Sequence, residues 1–219
     1  MELDQDTRYK LGTMVDELVR EHGERFERDE IQQLVGDSVE RLRGAAVVNE
    51  FLPILAYRFA RERLTALERV HSGAERAHVD VVFVSLSGGG RGQLAAALAT
   101  LLSGGRVAVH SAGTATQGAI DPAVRTAIEE LGVDTAEAFV RPASEEVLRA
   151  ADVVVTMGHS VGAVELPETV RRVDWRVGDP SGAELDEVRR VRDDIERRVR
   201  ALLVELGVAV IEPVQLQPA

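Results

Sequence analysis

A short apolar segment that leads into a glycine-dense turn constrains the fold of this chain more than any other feature. Residues 81–84 read Val-Val-Phe-Val, a β-branched and aromatic run typical of a buried strand. Three consecutive glycines occupy positions 88–90, and apolar residues recur at helical spacing from Gln93 to Leu102. The pattern therefore predicts a strand, a tight loop and a helix, in that order.

The loop between this strand and helix is open to three interpretations. In the first, backbone amides at the helix start bind a phosphate-like oxyanion, and the planar guanidinium of Arg91 adds further donors. In the second, the glycines form a connection that binds nothing and Arg91 is solvated. A dinucleotide fingerprint is disfavoured, because Gln93 stands where the third glycine of G-x-G-x-x-G is required. In the first interpretation, the residues that bind the oxyanion are Leu86, Ser87, Gly88, Gly89, Gly90, Arg91 and Gly92.

Composition limits the partners and the chemistry of the chain. Its 219 residues carry a formal charge of -11, which disfavours non-specific binding to nucleic acid or to an anionic membrane. We expect neither partner. No apolar run approaches the length of a bilayer span and the first residues do not resemble a secretory signal, so we expect a cytoplasmic protein. The chain has no cysteine, which excludes thiol chemistry by its own residues.

The first seventy residues predict a small all-α domain of three amphipathic helices. The first helix ends at His22-Gly23, the second runs from about Arg28 to Leu42, and Asn49 is a candidate cap for the third. Arginines on the third helix are interpreted either as an interaction surface or, preferentially, as a solvated face with helical ion pairs. If the third helix is incompletely buried, we expect a homodimer through these helices.

From Val79 onward, strands alternate with helices, which predicts an α/β domain with a four-stranded, parallel, doubly wound sheet. Ligands of such sheets bind at the carboxyl ends of the strands, where the glycine-rich turn lies. The predicted domains are 1–72, 78–206 and a C-terminal tail 207–219. After the first strand, the predicted elements are a strand at 106–110, a helix from Asp121-Pro122 to about Leu131, a short helix from Ser144, strands at 152–156 and 170–177, and a helix at 185–206.

Five sequence features occur in order along the second domain. They are the loop before Arg91-Gly92-Gln93, Ser111-Ala112-Gly113-Thr114, the strand 151–158, Trp175 before Asp179-Pro180, and the helix containing Val191-Arg192-Asp193-Asp194-Ile195. By these features the chain, from about Val81 to Leu203, resembles the low-molecular-weight protein tyrosine phosphatase and arsenate reductase family. Two forms, Thr156-Met157-Gly158 and Trp175-x-x-x-Asp179-Pro180-x-Gly182, favour the arsenate reductase branch. The N-terminal helices, with Phe51-Leu52-Pro53, are similar to an extension found on actinobacterial arsenate reductase-like proteins.

The resemblance implies a Cys-x5-Arg loop in which a cysteine attacks phosphorus or arsenic while an arginine and the loop amides bind the oxyanion. It assigns the nucleophile position to Ser85, the oxyanion-binding arginine to Arg91 and the general acid to Asp179. Ser85 departs from the family, because a serine hydroxyl is not ionised near neutral pH and needs a base to act as a nucleophile. The residue after the arginine is usually a hydroxyl in this family, and here it is Gly92.

These observations leave three functional hypotheses. The favoured one is a catalytically impaired family member that binds phosphate, arsenate or a phosphorylated ligand. The alternatives are an active phosphatase or reductase that uses Ser85 or an external thiol, and a structural or dimerising regulatory protein with a relic loop. His110 and His159 are weak candidates for a base that activates Ser85. We expect no metal, because the histidines lack paired ligand spacing, and no cofactor.

Overall fold

The computed structural model of the protein describes residues 4–44, 51–72, 78–115, 119–135, 138–158 and 166–212. Within this part of the chain no helix is both long enough and apolar enough to cross a membrane. In chain order the elements are α1 (Gln5–His22), α2 (Arg28–Gly44), α3 (Leu52–Ser72), β1 (Val79–Ser85), α4 (Arg91–Ser103), β2 (Val107–Gly113), α5 (Pro122–Glu129), α6 (Glu145–Ala150), β3 (Val153–Met157), β4 (Arg171–Trp175) and α7 (Leu185–Glu205).

The chain forms two compact units. One contains residues 1–74 together with 144–150, and the other contains residues 75–143 and 151–219. The predicted boundary between 72 and 78 lies on residues 73–77, outside the described part of the chain, and the predicted Asn49 cap lies outside it as well.

The helical unit contains α1, α2 and α3, as predicted, and also the short helix α6, which packs on α3. Asp4 caps α1 by accepting a hydrogen bond from the Thr7 amide at 2.8 Å. Amphipathic stripes of the three long helices meet in one core, as their spacing requires. The buried members of this core are Val15, Leu18, Ile31, Val35, Ala60 and Leu64.

Arg63 of α3 is buried within the helical unit, which corrects the prediction of a solvated arginine face. Only 3% of the residue is exposed. Its guanidinium lies 2.7 Å from carboxylate oxygens of both Asp37 and Glu146, and it donates to the Ser38 hydroxyl at 2.9 Å. Arg61, two residues earlier, follows the prediction more closely: it is exposed, although it pairs with Glu21 of α1 at 2.8 Å.

The second unit is the predicted α/β domain. Its four parallel strands are ordered β2-β1-β3-β4, so β1 is central and its carboxyl end lies between those of β2 and β3. Ser85 pairs in register with Gly113 on one side and with Met157 on the other. Helices α4, α5 and α7 of this unit pack on one another, and α4 packs on β1 and β2. β1 and β3 are rich in apolar residues and almost entirely buried, as is typical of parallel strands.

Several boundaries differ from the predicted ones. β2 extends to Gly113 rather than ending at His110, and α4 begins at Arg91 rather than at Gln93. β4 is shorter than predicted, and α5 ends at Glu129. The predicted α5 cap is confirmed, since Asp121 accepts from the Ala123 amide at 2.9 Å. Part of the predicted tail packs on the domain, because the Ile211 amide donates to the Leu102 carbonyl at 2.7 Å.

Candidate functional site

Ser85 is the last residue of β1 and is almost completely buried, with 1% of its surface exposed. Its hydroxyl oxygen has no hydrogen-bond partner among the described residues. A buried hydroxyl without a partner costs free energy, so native proteins usually satisfy such a group. The position therefore suits a ligand atom that accepts or donates a hydrogen bond.

The loop after Ser85 depends on glycine because neighbouring chain segments approach it closely. Gly88 has a φ of 71°, and a Cβ on it would lie 3.0 Å from the Gly113 amide nitrogen. A Cβ on Gly89 would lie 3.1 Å from the Ala119 carbonyl, and one on Gly90 would lie 3.1 Å from the Pro180 ring. The glycines are thus required for packing as well as for backbone conformation.

The side chain of Gln93, in the first turn of α4, holds this loop in place through hydrogen bonds. Its side-chain amide nitrogen lies 3.2 Å from the Gly88 carbonyl, 2.9 Å from the Ser111 hydroxyl and 3.3 Å from the Phe139 carbonyl. The sequence predicts Gln93 at the start of the helix, within the Arg91-Gly92-Gln93 feature, but does not predict these hydrogen bonds. The signal that could have revealed them is a polar residue at a buried position of a helix that is otherwise apolar.

The start of α4 presents backbone donors to the loop. Helix geometry leaves the first amides without carbonyl partners, and those of Gly90, Arg91 and Gly92 donate to no acceptor in the described part of the chain. Gly90 occupies the N-cap position and has no side chain that could cap these amides. The amide of Gly89 is used within the loop, where it lies 3.4 Å from the Ser87 hydroxyl. Free amides and the positive end of the helix dipole favour an anion at this position.

Arg91 lies against the loop with 10% of its side chain exposed. One guanidinium nitrogen donates to the Val177 carbonyl and another to an Asp179 carboxylate oxygen, both at 3.3 Å. Gly158, which follows β3, has a φ of 96°, and a Cβ added to it would lie 2.7 Å from an Arg91 guanidinium nitrogen. The guanidinium plane therefore rests on a glycine that leaves room for it.

If phosphate binds at Arg91 as the sequence predicts, we expect Gly158→Ala to lower its affinity at least about tenfold, because the new methyl group displaces the guanidinium and removes a charged hydrogen bond. Strain at a positive φ costs about 1–3 kcal/mol and affects stability in any case. Gly105→Ala is the matched control, since Gly105 has a φ of 75° with nothing within 4 Å of its Cβ position. Calorimetry on both variants checks the expectation, and equal phosphate affinities would contradict it.

Asp179 follows β4 and has one carboxylate oxygen facing Arg91. Its other oxygen accepts from the Ser181 amide at 3.2 Å and from the Ser181 hydroxyl at 2.8 Å. The carboxylate thus both forms a local turn and reaches the predicted oxyanion site. Trp175, at the end of β4, is buried and packs on Phe83 with ring centroids 5.7 Å apart, which fixes the start of this segment.

Ser111 supports the site rather than contacting a ligand. It is buried in β2, where it accepts the hydrogen bond from Gln93. His110 lies opposite Val82, three residues before Ser85, and not at the carboxyl edge of the sheet. The other candidate base, His159, lies outside the described residues. No described residue forms a hydrogen bond to the Ser85 hydroxyl, so the structure supplies no base for it.

Gly92 leaves Ser85 without the hydroxyl neighbour that the resemblance implies. A Cβ at Gly92 would lie 3.3 Å from the Ser85 hydroxyl oxygen. A serine or threonine at this position would therefore place its own hydroxyl within reach. Within the described ranges, no group of three or more histidine, aspartate or glutamate side chains could hold a metal ion.

The family models match the two parts of the chain separately. Residues 80–211 match the low molecular weight phosphotyrosine protein phosphatase family, and residues 11–68 match the N-terminal domain of protein-tyrosine-phosphatase-like proteins. The first match spans more than half of the chain and includes Ser85, Arg91 and Asp179.

Several proteins similar to this chain are arsenate reductases. An arsenate reductase of Brevibacillus brevis is 33% identical over 122 residues, which are 55% of this chain and 90% of the relative. The structure of a thioredoxin-dependent arsenate reductase of Corynebacterium glutamicum is 30% identical, with a TM-score of 0.80 over 90% of this chain and 96% of that one. An arsenate reductase in the phosphate binding state is 28% identical, with a TM-score of 0.51 over 58% of this chain and 98% of that one.

The match thus covers nine-tenths of the Brevibacillus brevis relative and nearly the whole of the Corynebacterium glutamicum structure. The parallel sheet, the glycine-rich loop before Arg91 and the Asp179-Pro180 turn agree with it. The chain belongs to the low molecular weight phosphotyrosine protein phosphatase family and is similar to the arsenate reductases within it.

Proposed function

We propose that this protein binds a tetrahedral oxyanion such as phosphate or arsenate, or a phosphorylated ligand, without efficient chemistry on it. The observation that carries the proposal is the Ser85 hydroxyl, buried without a partner at the end of β1. The free amides of Gly90, Arg91 and Gly92 and the guanidinium of Arg91 supply donors for the same anion. One relative is described in a phosphate binding state, which is consistent with this ligand class.

Impaired catalysis follows from the chemistry of the residues at this position. A serine hydroxyl has a far higher pKa than a thiol, and no described residue hydrogen-bonds to it as a base would. Gly92 contributes no hydroxyl to stabilise a nucleophile. The chain also has no cysteine, so it cannot form the mixed disulfide that a thioredoxin-coupled reaction requires.

An active enzyme is the second candidate, because Asp179 has a carboxylate oxygen 3.3 Å from the Arg91 guanidinium. An acid beside the oxyanion site suits protonation of a leaving oxygen. In this alternative Ser85 or an external thiol acts as the nucleophile.

Cytoplasmic location and a homodimer through the helical unit stay predictions. Tyr9 and Phe51 of that unit are exposed.

Calorimetric titration of phosphate and arsenate tests oxyanion binding. We expect both ions to bind the wild-type protein and Arg91→Ala to weaken binding by about 100-fold or more, since it removes hydrogen bonds from a charged donor. Arg190→Ala is the matched control, because Arg190 lies on α7 with an exposed side chain paired to Glu187. If neither ion binds, or if both arginine variants bind equally well, the proposed function is wrong.

A further inference from the structure

Asp121, the N-cap residue of α5, connects three segments of the α/β unit. One carboxylate oxygen accepts from the Ala123 amide at 2.9 Å, in the first turn of α5. The other oxygen accepts from the Gly182 amide at 3.0 Å, in the turn that begins at Asp179. Its own amide donates to the Gly89 carbonyl at 3.4 Å, in the glycine-rich loop. A single residue therefore joins the helix start, the loop and the turn.

The turn at residues 179–182 lies directly against the glycine-rich loop. A Cβ on Gly90 would lie 3.1 Å from the Pro180 ring, so the two segments are in close contact. At the start of the turn, a carboxylate oxygen of Asp179 lies 3.3 Å from a guanidinium nitrogen of Arg91. The position of the turn therefore decides how close this carboxylate lies to the arginine.

The bond to Gly182 ties the far end of this turn to a distant part of the chain. Within the turn, Asp179 accepts from both the amide and the hydroxyl of Ser181, and these local bonds shape the turn without fixing its position. Packing contributes little at Gly182, since nothing lies within 4 Å of its Cβ position. The Asp121 carboxylate, 61 residues away in the chain, supplies the contact that holds this end in place.

The carboxylate of Asp179 competes with an oxyanion for Arg91. It has the same sign of charge as the oxyanion, and it takes one of the donors of the guanidinium. Its side chain is 56% exposed, so water screens the pair. The energy of an exposed ion pair corresponds to a change in anion affinity of about two- to fivefold.

We propose that Asp121 is a positioning residue that lowers the oxyanion affinity of this site by holding the Asp179 turn against Arg91. The inference rests on the oxyanion-binding function proposed above and names a residue that controls the same site. Asp121 acts through Asp179 and needs no contact with the ligand. Its effect on affinity should therefore vanish once the Asp179 carboxylate is removed.

Asp121→Asn separates the bond to Gly182 from the cap of α5. Asparagine caps helices as well as aspartate does, through its side-chain oxygen. Its amide nitrogen then faces the Gly182 amide with a second donor, so that bond is lost. Asp121→Ser is the second variant, because serine also caps helices but has one side-chain oxygen, which the cap uses. Amide exchange followed by NMR should become faster at Gly182 in both variants and stay unchanged at Ala123.

The affinity of inorganic phosphate, measured by calorimetry at one pH near neutrality, tests the positioning effect. Asp179→Asn is expected to raise the affinity about two- to fivefold, and each Asp121 variant is expected to raise it within the same range. Adding Asp121→Asn to Asp179→Asn is expected to change the affinity no further, because both changes act on one contact. Independent changes would instead multiply.

Glu184→Gln is the matched control for the lost negative charge. Glu184 is exposed at the start of α7, shortly after the same turn, and its side chain makes no capping bond. We expect this variant to bind phosphate as the wild type does. A rise in affinity as large as that of Asp121→Asn would show that loss of charge alone explains the result, and would overturn the positioning effect.

The remaining outcomes separate this inference from the function on which it rests. If phosphate binds through Arg91 but the Asp121 variants bind it no more tightly than the wild type, positioning by Asp121 is wrong and oxyanion binding stands. The same conclusion follows if Asp121→Asn raises the affinity equally with and without the Asp179 carboxylate, or if exchange at Gly182 is unchanged. If phosphate does not bind the wild-type protein, the proposed function and this inference both fail.

Discussion

Replacing Arg63 with methionine is expected to lower the free energy of unfolding by about 3–5 kcal/mol, because it leaves a buried carboxylate without its cation. Arg63 is 3% exposed and lies 2.7 Å from both Asp37 and Glu146. The side chain of Glu146 is 19% exposed, so water compensates it poorly. The guanidinium also lies 5.4 Å from the centre of the Phe59 ring, a contact that methionine replaces only in part.

Arg61→Met is the matched control for this prediction. Arg61 lies on the same helix and pairs with Glu21 at 2.8 Å, but 55% of its side chain is exposed. Exposed pairs contribute about 0–1 kcal/mol, so this variant is expected to unfold close to the wild type. Urea unfolding should be followed by far-ultraviolet circular dichroism, because the single tryptophan, Trp175, lies in the α/β domain. Similar midpoints for the two variants would contradict the account of Arg63.

The pH dependence of stability provides a second measure of the Arg63 contact. Burial alone would raise the pKa of Glu146, but the hydrogen bond and charge of Arg63 outweigh it and hold the pKa below its ordinary value of 4.5. A carboxyl with a lowered pKa stabilises the fold above that value, and this contribution is lost as pH falls through the folded pKa. In Arg63→Met, protonation of Glu146 instead neutralises a buried charge that has lost its cation. The stability difference between the two proteins should therefore narrow below about pH 4.5.

Replacing Ser85 with cysteine is expected to raise phosphatase activity clearly above that of the wild type. A thiol among free amides and beside the start of a helix ionises readily and attacks phosphorus. Asp179, whose carboxylate lies 3.3 Å from Arg91, is the proposed acid for the leaving oxygen. We expect hydrolysis of para-nitrophenyl phosphate by Ser85→Cys at a rate clearly above that of the wild type. Adding Asp179→Asn should reduce that rate by about 10²–10⁴-fold, the usual contribution of a general acid.

Gly92 offers a further check of the same prediction. A Cβ at this position would lie 3.3 Å from the hydroxyl oxygen of Ser85, so Gly92→Ser places a hydroxyl beside the new thiolate. The double variant is expected to hydrolyse the ester faster than Ser85→Cys alone, since a hydrogen bond stabilises the ionised thiol. If Ser85→Cys binds phosphate but stays inactive with both Asp179 and a hydroxyl in place, Ser85 is not the nucleophile position of this site.

Much of the fold follows from local patterns in the sequence. The apolar run 81–84 with the glycine turn after it predicted β1 and α4, and the alternation of strands and helices predicted the parallel sheet. The end of β2 was not predictable in this way, because Ser111, Ala112 and Gly113 have no strong strand preference. They are extended because they pair in register with Phe83, Val84 and Ser85 of the central strand.

The candidate site was predictable in its residue types but not in its supporting contacts. Arg91 and Asp179 were expected near each other from the resemblance, and the structure brings them to 3.3 Å. The glycines at 88–90 suggested a loop adapted to an anion, yet the structure also shows neighbouring segments that leave no room for a side chain. Such close approaches join distant parts of the chain, so a linear pattern does not reveal them.

Burial of Arg63 is the clearest case in which the sequence was misleading. Its neighbours on the helix are charged, and a run of charges usually forms a solvated face. Its partners Ser38 and Glu146 lie 25 and 83 residues away in the chain. Only packing of α2, α3 and α6 brings these three residues together. The spacing of apolar residues in α3 does not predict this packing.

The most direct test of the central claim is the rate of product formation by the wild-type protein at oxyanion concentrations that calorimetry shows to be saturating. Arsenate with a small external thiol and para-nitrophenyl phosphate should both be assayed, with Ser85→Ala measured in parallel. We expect saturable binding with no product above the buffer rate in either protein. Turnover by the wild type that disappears in Ser85→Ala would contradict it and would identify Ser85 as a working nucleophile.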